Sequence, residues 1–215
     1  PKDDDASYGA SVTQKMTEQI SALANKRPSL NVLGGVNGDF FQTQTKPYTI
    51  QGAFHRGGKC YKDTFQDVVC TLFAILDDGT CACLNQNEYP SYKSRIKEAV
   101  GARMNLVENG SMLSFTDTRL EPRTVSGASK DGHRAYLLIV DGREDLYKTG
   151  SYGGSYEACA RLMIAAGAYE AINNDGGGSS SFVVKSGTRY VLHNKPGNSN
   201  NTERAVFNGM AVVSR

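Results

Sequence analysis

The sequence predicts a mixed α/β (α+β) fold in which helices pack on a central twisted mixed sheet. Helical and strand patterns alternate along the 215 residues. A hairpin signature, Asp77-Asp78-Gly79-Thr80, separates two apolar runs and argues against a purely parallel sheet. Neither an internal repeat nor a low-complexity linker interrupts the pattern. We therefore expect a single domain over residues 11–215, preceded by a flexible N-terminal segment over residues 1–10.

Helices are predicted where apolar residues recur every three or four positions. In the first of them Val12, Met16, Ile20 and Leu23 share one face, and Pro28 follows as a stop signal. The predicted helices cover 11–25, 91–99 and 155–166.

Strands are predicted where short apolar runs end in turn residues. The first run ends in a glycine-containing segment over 34–41, which we interpret as a loop. The predicted strands cover 31–33, 71–76, 80–84, 136–140, 171–172, 181–185, 189–192 and 210–213.

Composition and charge exclude several classes of function. The chain carries 24 basic and 22 acidic residues, and the basic residues are dispersed, so neither nucleic acid nor an anionic membrane is an expected partner. No apolar run approaches the ~18–20 residues that span a bilayer, so no transmembrane segment is predicted. Small molecules or glycans remain the expected partners, and the sequence leaves the oligomeric state open.

The five cysteines are concentrated in one part of the chain, with four of them between Cys60 and Cys83. Such a density is typical of disulfide-bearing or metal-binding chains. The closest pair, Cys81 and Cys83, lacks the C-x₂₋₄-C spacing of a zinc knuckle. Disulfides, buried free thiols and a metal site therefore stay open, in that order of preference. Cys159 lies in an apolar helical pattern and is expected to be a packed core thiol.

A run of three glycines follows the predicted strand at 171–172 and is itself followed by hydroxyl residues. Glycine in such a place indicates a turn with positive φ or the close approach of a ligand. Backbone N–H groups in the turn, together with Asp175 and Ser179, would suit a phosphate or a sugar oxyanion. The alternative is a flexible surface loop. Walker and Rossmann glycine patterns are absent, so the run is not a nucleotide loop of those types.

Six motifs in one order resemble the phosphodiester glycosidase family. They extend over roughly residues 11–213, although 42–70 cannot be aligned and Asn174 replaces the family's usual leucine. The motifs are Val36-Asn37-Gly38-Asp39-Phe40-Phe41, Leu106-Val107-Glu108-Asn109-Gly110, Pro122-Arg123-Thr124-Val125-Ser126-Gly127, Val140-Asp141-Gly142-Arg143, Glu170-Ala171-Ile172-Asn173-Asn174-Asp175-Gly176-Gly177-Gly178-Ser179-Ser180 and Glu203-Arg204-Ala205-Val206-Phe207-Asn208.

The resemblance implies hydrolysis of a sugar-1-phosphodiester, such as one of N-acetylglucosamine, at the C1–O bond. Free sugar and a phosphate monoester would be released. It implies no cofactor and no metal, and it favours an extracytoplasmic location, meaning periplasmic, secreted or lumenal. The alternative is a non-catalytic glycan-binding or phosphosugar-binding module of the cell envelope.

Cleavage of that bond develops positive charge on the sugar and negative charge on the phosphate, so a carboxylate and phosphate-binding donors are needed. We assign Asp175 as the principal carboxylate, a base or nucleophile, with an Asx-turn role as the alternative. Glu203 and Asp141 are rival second carboxylates. Asp39 is left out because the family pattern specifies no residue there. The expected substrate-binding residues are Asn37, Arg123, Thr124, Gly176, Gly177, Gly178, Ser179 and Arg204.

Overall fold

A computed structural model describes residues 13–44, 47–66 and 68–214. The chain is mixed, as predicted, but it is rich in sheet. Three larger antiparallel sheets and one two-stranded antiparallel sheet replace the single central mixed sheet that the sequence led us to expect. Every strand pairing within the described residues is antiparallel. Parallel neighbours would need long crossovers, whereas many of these strands are joined by short turns. The expected N-terminal segment over 1–10 lies outside the described residues.

The elements are numbered in chain order. The helices are α1 (Met16–Lys26), α2 (Tyr89–Tyr92), α3 (Glu144–Tyr147) and α4 (Tyr156–Ala166). The strands are β1 (Asn31–Asn37), β2 (Phe41–Gln42), β3 (Thr49–Ile50), β4 (Phe54–Arg56), β5 (Lys59–Lys62), β6 (Thr71–Leu76), β7 (Cys81–Asn85), β8 (Ile96–Ala102), β9 (Met104–Glu108), β10 (Ser111–Met112), β11 (Arg123–Ala128), β12 (Ala135–Val140), β13 (Glu170–Asn173), β14 (Phe182–Ser186), β15 (Arg189–Leu192) and β16 (Gly209–Ser214).

The first sheet has the strand order β15-β14-β1-β16, and α1 packs on one of its faces. Met16 and Ile20 of the helix pack against Val32 and Val183 of the central strands. The helical spacing read from the sequence therefore has a structural reason, since these side chains form the buried stripe of α1. The helix begins at Met16, later than predicted, and residues 11 and 12 lie outside the described part.

The second sheet has the order β10-β9-β13-β11-β12 and carries α4 on one face. Cys159 and Met163 of the helix pack against Leu106, Val125 and Ala171 of the sheet. Cys159 is fully buried, so its assignment as a core thiol is confirmed. Strands β11 and β13 end beside each other at the edge where the candidate site lies, because they pair through Val125 and Asn173.

The third sheet has the order β5-β4-β8-β6-β7. Its β6–β7 hairpin confirms the turn predicted at 77–80. Phe73 and Val100 of this sheet pack against Ala128 and Ile172 of the second, so the two sheets share a core. All five cysteines are free thiols, and the disulfides favoured from the cysteine density are not formed.

Two predictions of local structure are wrong. The helix expected over 91–99 is strand β8 from Ile96 onward, preceded by the short α2 and a 3-10 turn. The loop expected over 34–41 is strand β1 as far as Asn37. Its glycines serve close packing, since a Cβ on Gly34 would lie 2.1 Å from Val183 O and one on Gly35 would lie 2.4 Å from Met210 O.

Candidate active site

Asp175 lies just beyond the end of β13, where the first and second sheets meet. Its backbone N–H donates to Gly38 O at 3.0 Å, and Asn37 Nδ2 donates to its carbonyl oxygen at 2.6 Å. The residue after a buried strand is therefore held from both sides by the end of β1. A carboxyl group at this position is fixed by the packing of two sheets rather than by its own loop.

The carboxyl of Asp175 is largely removed from water. Burial raises its pKa to about 6, although a hydrogen bond from Ser179, the charge of Arg204 and the Gly176 N–H each lower it. Arg204 Nη1 lies 3.5 Å from Ser179 Oγ. The structure thus brings together three of the residues predicted for the site, a carboxyl, a hydroxyl and a guanidinium group.

Asn37 and Thr124, predicted to bind substrate, are completely buried behind this cluster. The Asn37 side-chain oxygen accepts from Thr124 Oγ1 at 2.8 Å and from Ser181 N at 3.0 Å. Thr124 Oγ1 also lies 3.3 Å from Ser180 Oγ. These polar groups are thus satisfied inside the protein, and Asn37 also holds the backbone of Asp175. The substrate-binding assignment of both residues stays a prediction.

Arg123, predicted to bind phosphate, lies on the opposite face of β11 from Thr124. Its Nε donates to Gly154 O and its Nη2 to Arg119 O, both at 3.0 Å, and its guanidinium stacks 4.0 Å from the Tyr156 ring centre. Neighbouring side chains of a strand point to opposite faces, so Arg123 and Thr124 cannot both face the site. The Arg123 guanidinium instead joins β11 to the start of α4, and its assignment to the substrate stays a prediction.

Both rivals for the second carboxylate are hydrogen-bonded within the protein. Glu203 accepts from the Thr17 backbone N–H at 2.9 Å and from the Thr17 hydroxyl at 2.6 Å, so it caps the start of α1. Asp141 accepts from Asn194 Nδ2 at 2.9 Å and from Lys195 N at 3.0 Å. Both oxygens of each carboxylate thereby hold neighbouring segments in place. Their assignment as the second carboxylate stays a prediction.

The glycine turn, Gly176–Gly178, is tightly packed. A Cβ on Gly178 would lie 2.1 Å from Asn198 Oδ1, and Asn198 Nδ2 donates to Gly178 O at 2.6 Å. Gly177 has a φ of +60°, which disfavours other residues. The alternative of a flexible surface loop is therefore wrong. Glycine is required here because neighbouring segments approach the turn closely.

Several backbone N–H groups in and just after the turn donate within the protein. Gly177 N donates to Pro122 O at 2.8 Å, Ser179 N to Gly176 O at 3.1 Å and Ser180 N to Gly177 O at 3.2 Å. The phosphate-binding nest expected from the sequence is thus not offered by these three groups.

Arg143 is a site candidate that the residue assignments missed. Its Nε donates to Glu121 Oε2 at 2.9 Å and its Nη1 to Gly197 O at 3.0 Å. Its Nη2 lies against the glycine turn, 2.9 Å from where a Cβ on Gly177 would stand. The φ of +69° at Arg143 is unusual for a residue with a side chain and is typical of functional positions. The sequence feature that could have identified Arg143 is the motif Val140-Asp141-Gly142-Arg143, which it ends.

Asp39 is the second residue that the assignments left out. It is 2% exposed, and its Oδ2 accepts from Gly52 N at 2.8 Å while its Oδ1 has no hydrogen-bond partner among the residues that the structure describes. Burial raises its pKa to about 8; Gly52 N–H and the charge of Lys62 oppose this, and the charge of Asp175 adds to it. A Cβ on Gly101 would lie 2.6 Å from Oδ2, so two glycines make room for the carboxyl. The family pattern contained no signal for this position.

The site thus combines two carboxyl groups of different pKa, those of Asp39 and Asp175, with the guanidinium groups of Arg143 and Arg204. Such a combination suits an anionic glycoside. The family model for phosphodiester glycosidases matches residues 31–213. The chain therefore belongs to the phosphodiester glycosidase family, and the resemblance read from the six motifs is confirmed. Comparison with curated proteins gave no match.

Solved structures show the same fold at low sequence identity. The catalytic domain of zebrafish N-acetylglucosamine-1-phosphodiester alpha-N-acetylglucosaminidase, auto-inhibited by its pro-peptide, is 18% identical with a TM-score of 0.69, over 99% of this chain and 69% of that chain. A Burkholderia pseudomallei protein classed as exported is 14% identical with a TM-score of 0.66, over 96% and 69% of the two chains. A hypothetical protein from Synechocystis is 14% identical with a TM-score of 0.58, over 98% and 56%. At these identities the likeness establishes the fold alone.

Within the described residues no helix is both long and apolar enough to cross a membrane.

Proposed function

We propose that this chain hydrolyses a sugar-1-phosphodiester at the C1–O bond and releases free sugar and a phosphate monoester. Membership of the phosphodiester glycosidase family supports the reaction class. One observation carries the proposal to this chain: Asp175, Ser179 and Arg204 lie together, with Arg204 Nη1 3.5 Å from Ser179 Oγ and the Arg204 charge lowering the pKa of Asp175. The Asp175 charge in turn raises the pKa of a second, buried carboxyl, Asp39. Glycoside hydrolysis commonly uses two carboxyl groups, and a phosphodiester requires cationic donors in addition.

Asp175 acts as the base or nucleophile in this proposal. With a pKa of about 6 it is mostly ionised at pH 7 and still basic enough to accept a proton. Asp39, with a pKa of about 8, is mostly protonated at the same pH. Two ionised carboxylates would repel each other and a phosphodiester anion. Because Asp39 is buried, its role is to keep that part of the site neutral and to position Asp175, without touching the substrate.

Arg204 and Arg143 bind the phosphate in this proposal. Arg204 lies at the Ser179 end of the glycine turn, and Arg143 lies against Gly177. Guanidinium groups bind phosphate with paired hydrogen bonds, so two of them on one turn suit a phosphodiester. Arg143 thereby takes the role that the sequence had assigned to Arg123.

The sugar and the location of the reaction belong to the proposal as well. N-acetylglucosamine is the first sugar to test, because the zebrafish enzyme of the same fold is named for an N-acetylglucosamine-1-phosphodiester. An extracytoplasmic site of action is proposed from the Burkholderia pseudomallei protein classed as exported. The oligomeric state has no bearing on the assignment of the site.

The test is release of free sugar from a panel of sugar-1-phosphodiesters by the wild-type chain and by Asp175→Asn. We expect wild-type turnover whose kcat/KM falls as the pH drops through about 6, because Asp175 must be ionised. The variant should lose roughly 10²–10⁴-fold in kcat while staying folded. The matched control is Asp77→Asn, which removes one exposed carboxylate from the β6–β7 hairpin and should leave turnover unchanged.

Full activity in Asp175→Asn would refute the central assignment. Saturable binding of the panel without turnover would instead indicate the non-catalytic phosphosugar-binding module. If no member of the panel were bound or hydrolysed, both the hydrolase and the binding-module proposals for this site would be refuted.

A further inference from the structure

Three large apolar side chains stand out by their exposure. Leu146 is 70% exposed, Tyr152 is 61% exposed and Leu120 is 54% exposed, the three highest values for large hydrophobic residues in the described part of the chain. Leu146 and Tyr152 lie six positions apart in one segment, whereas Leu120 comes from a separate part of the chain. Scattered single apolar residues on a surface need no explanation, but a group at one place does.

All three residues lie next to Arg143. Leu146 N donates to Arg143 O at 3.1 Å, and Arg143 N donates to Tyr152 O at 3.3 Å. Leu120 directly precedes Glu121, whose carboxylate accepts from Arg143 Nε at 2.9 Å. We call Leu120, Leu146 and Tyr152 the apolar rim. The three residues with the most exposed apolar side chains are thus joined, by backbone hydrogen bonds or through Glu121, to the residue whose guanidinium faces the glycine turn.

The segment that carries two of the rim residues is held in place by its own hydrogen bonds. The buried Thr149 hydroxyl donates to Gly142 O at 3.0 Å, and Ser151 Oγ donates to Asp141 O at 2.7 Å. Glu144 N donates to Ser151 O at 3.0 Å, and the Glu144 carboxylate accepts from Gly150 N. The rim is therefore displayed by an ordered backbone, and a preorganised apolar surface loses less entropy when a ligand covers it.

We propose that the apolar rim binds an apolar aglycone, so that the substrate class is a sugar 1-phosphate esterified to an alkyl, prenyl or aryl alcohol. This inference rests on the proposed function. With the sugar at Asp175 and the phosphate between Arg204 and Arg143, an ester group that leaves the phosphate on the Arg143 side would meet the rim residues. A cation beside an apolar surface matches an anionic phosphate joined to a hydrophobic tail.

The first test measures binding without turnover, by calorimetry with methyl phosphate and octyl phosphate. Because a buried methylene is worth roughly a factor of four in affinity, partial burial of the chain should make octyl phosphate bind at least about tenfold tighter. The double variant Leu146→Ser and Tyr152→Ser should lose about fivefold or more for octyl phosphate and leave methyl phosphate unchanged. The control is Leu162→Ser, a 52% exposed leucine on α4, which should change neither value.

The second test compares kcat/KM for methyl and octyl esters of the same sugar 1-phosphate. Preference for the octyl ester that the double variant abolishes supports the inference. Equal kcat/KM for both esters would leave the proposed function standing and overturn the aglycone assignment. If octyl phosphate bound tightly and this binding depended on the rim, but neither ester were hydrolysed, the apolar binding site would stand and the proposed hydrolysis would be overturned. A dimer that the double variant dissociates would assign the rim to a second copy of the chain and overturn the inference.

Discussion

The carboxyl of Asp39 illustrates how burial alone changes the chemistry of a residue. One of its oxygens accepts from Gly52 N, and the other has no partner within the described residues. A charged carboxylate is poorly stabilised in such a place, so the protonated form is favoured and the pKa rises to about 8. Asp175 shows the same effect to a smaller extent, because Ser179 and Arg204 offset part of the burial.

The first prediction concerns Asp39→Asn and the pH dependence of stability. The pKa of Asp39 is about 8 in the folded state and near 4 in an unfolded chain, so between these values the folded state binds more protons. The free energy of unfolding contributed by this group therefore falls as pH rises from about 4 to 8. Asparagine cannot ionise. The difference in free energy of unfolding between the variant and wild type should therefore shift in favour of the variant between pH 5 and pH 8, by up to about 3 kcal/mol.

Urea unfolding at pH 5 and pH 8 measures this difference. Asp77→Asn, at an exposed aspartate, serves as the control and should show no comparable gain at pH 8. If the advantage of Asp39→Asn over wild type were the same at both pH values, Asp39 would not be a buried protonated acid.

At the scale of elements, α1 shows why a motif residue need not be a site residue. Glu203 belongs to the closing motif of the family resemblance, but both its oxygens accept hydrogen bonds from Thr17 in the first turn of the helix. A carboxylate there satisfies an N–H that has no partner within the helix and interacts favourably with the helix dipole. Its neighbour Arg204 points to the glycine turn instead.

The second prediction is that Glu203→Ala lowers the free energy of unfolding by about 1 kcal/mol and leaves kcat unchanged. The expected loss is that of a helix cap, measured by thermal or urea unfolding together with the sugar-release assay. Glu157→Ala, in the first turn of α4, removes only an exposed ion pair with Arg161 and provides the comparison. If Glu203→Ala instead lost most of its kcat while its free energy of unfolding stayed the same, Glu203 would be the second carboxylate.

Strand β8 shows where local pattern fails to predict an element. The helix was expected over 91–99, yet β8 begins at Ile96 and pairs with β6 along its length and with β4 at His55 and Ala99. Pairing with neighbours distant in sequence overrides a local preference, and a short window of sequence does not contain those neighbours.

At the scale of the whole molecule, the site lies where the three sheets meet. The end of β8 contributes Gly101, whose carbonyl accepts from Asn174 Nδ2 at 3.2 Å. Arg103, just after β8, donates from its backbone N–H to Asn173 O at 2.8 Å. The end of β1 holds Asp175 from the other side. The site is therefore a product of tertiary packing, and a change at the meeting point should affect both stability and activity.

The third prediction tests this junction with Gly101→Ala. The added Cβ would lie 2.6 and 2.7 Å from the two carboxyl oxygens of Asp39 and 2.7 Å from Gly52 Cα. We expect a loss of roughly 1–3 kcal/mol in stability from overpacking, together with lower kcat, measured by urea unfolding and sugar release. Gly187→Ala is the control. Its Cβ would meet nothing within 4 Å, so only its φ of +59° costs stability and kcat should hold. Wild-type stability in Gly101→Ala would mean that the sheets do not meet as described.

Local sequence determined much of this protein. The β6–β7 hairpin, α4, the C-terminal strands and the family were all predictable, because each is encoded by periodicity, turn residues or a short motif. Tertiary structure alone decided which motif residues face the site. Arg123 lies on the far face of β11, whereas Arg143 comes to the glycine turn from another segment and Asp39 is buried against Gly52 and Gly101. The direction of a side chain and the burial of a carboxyl depend on strand pairing and sheet packing, and a local pattern contains neither.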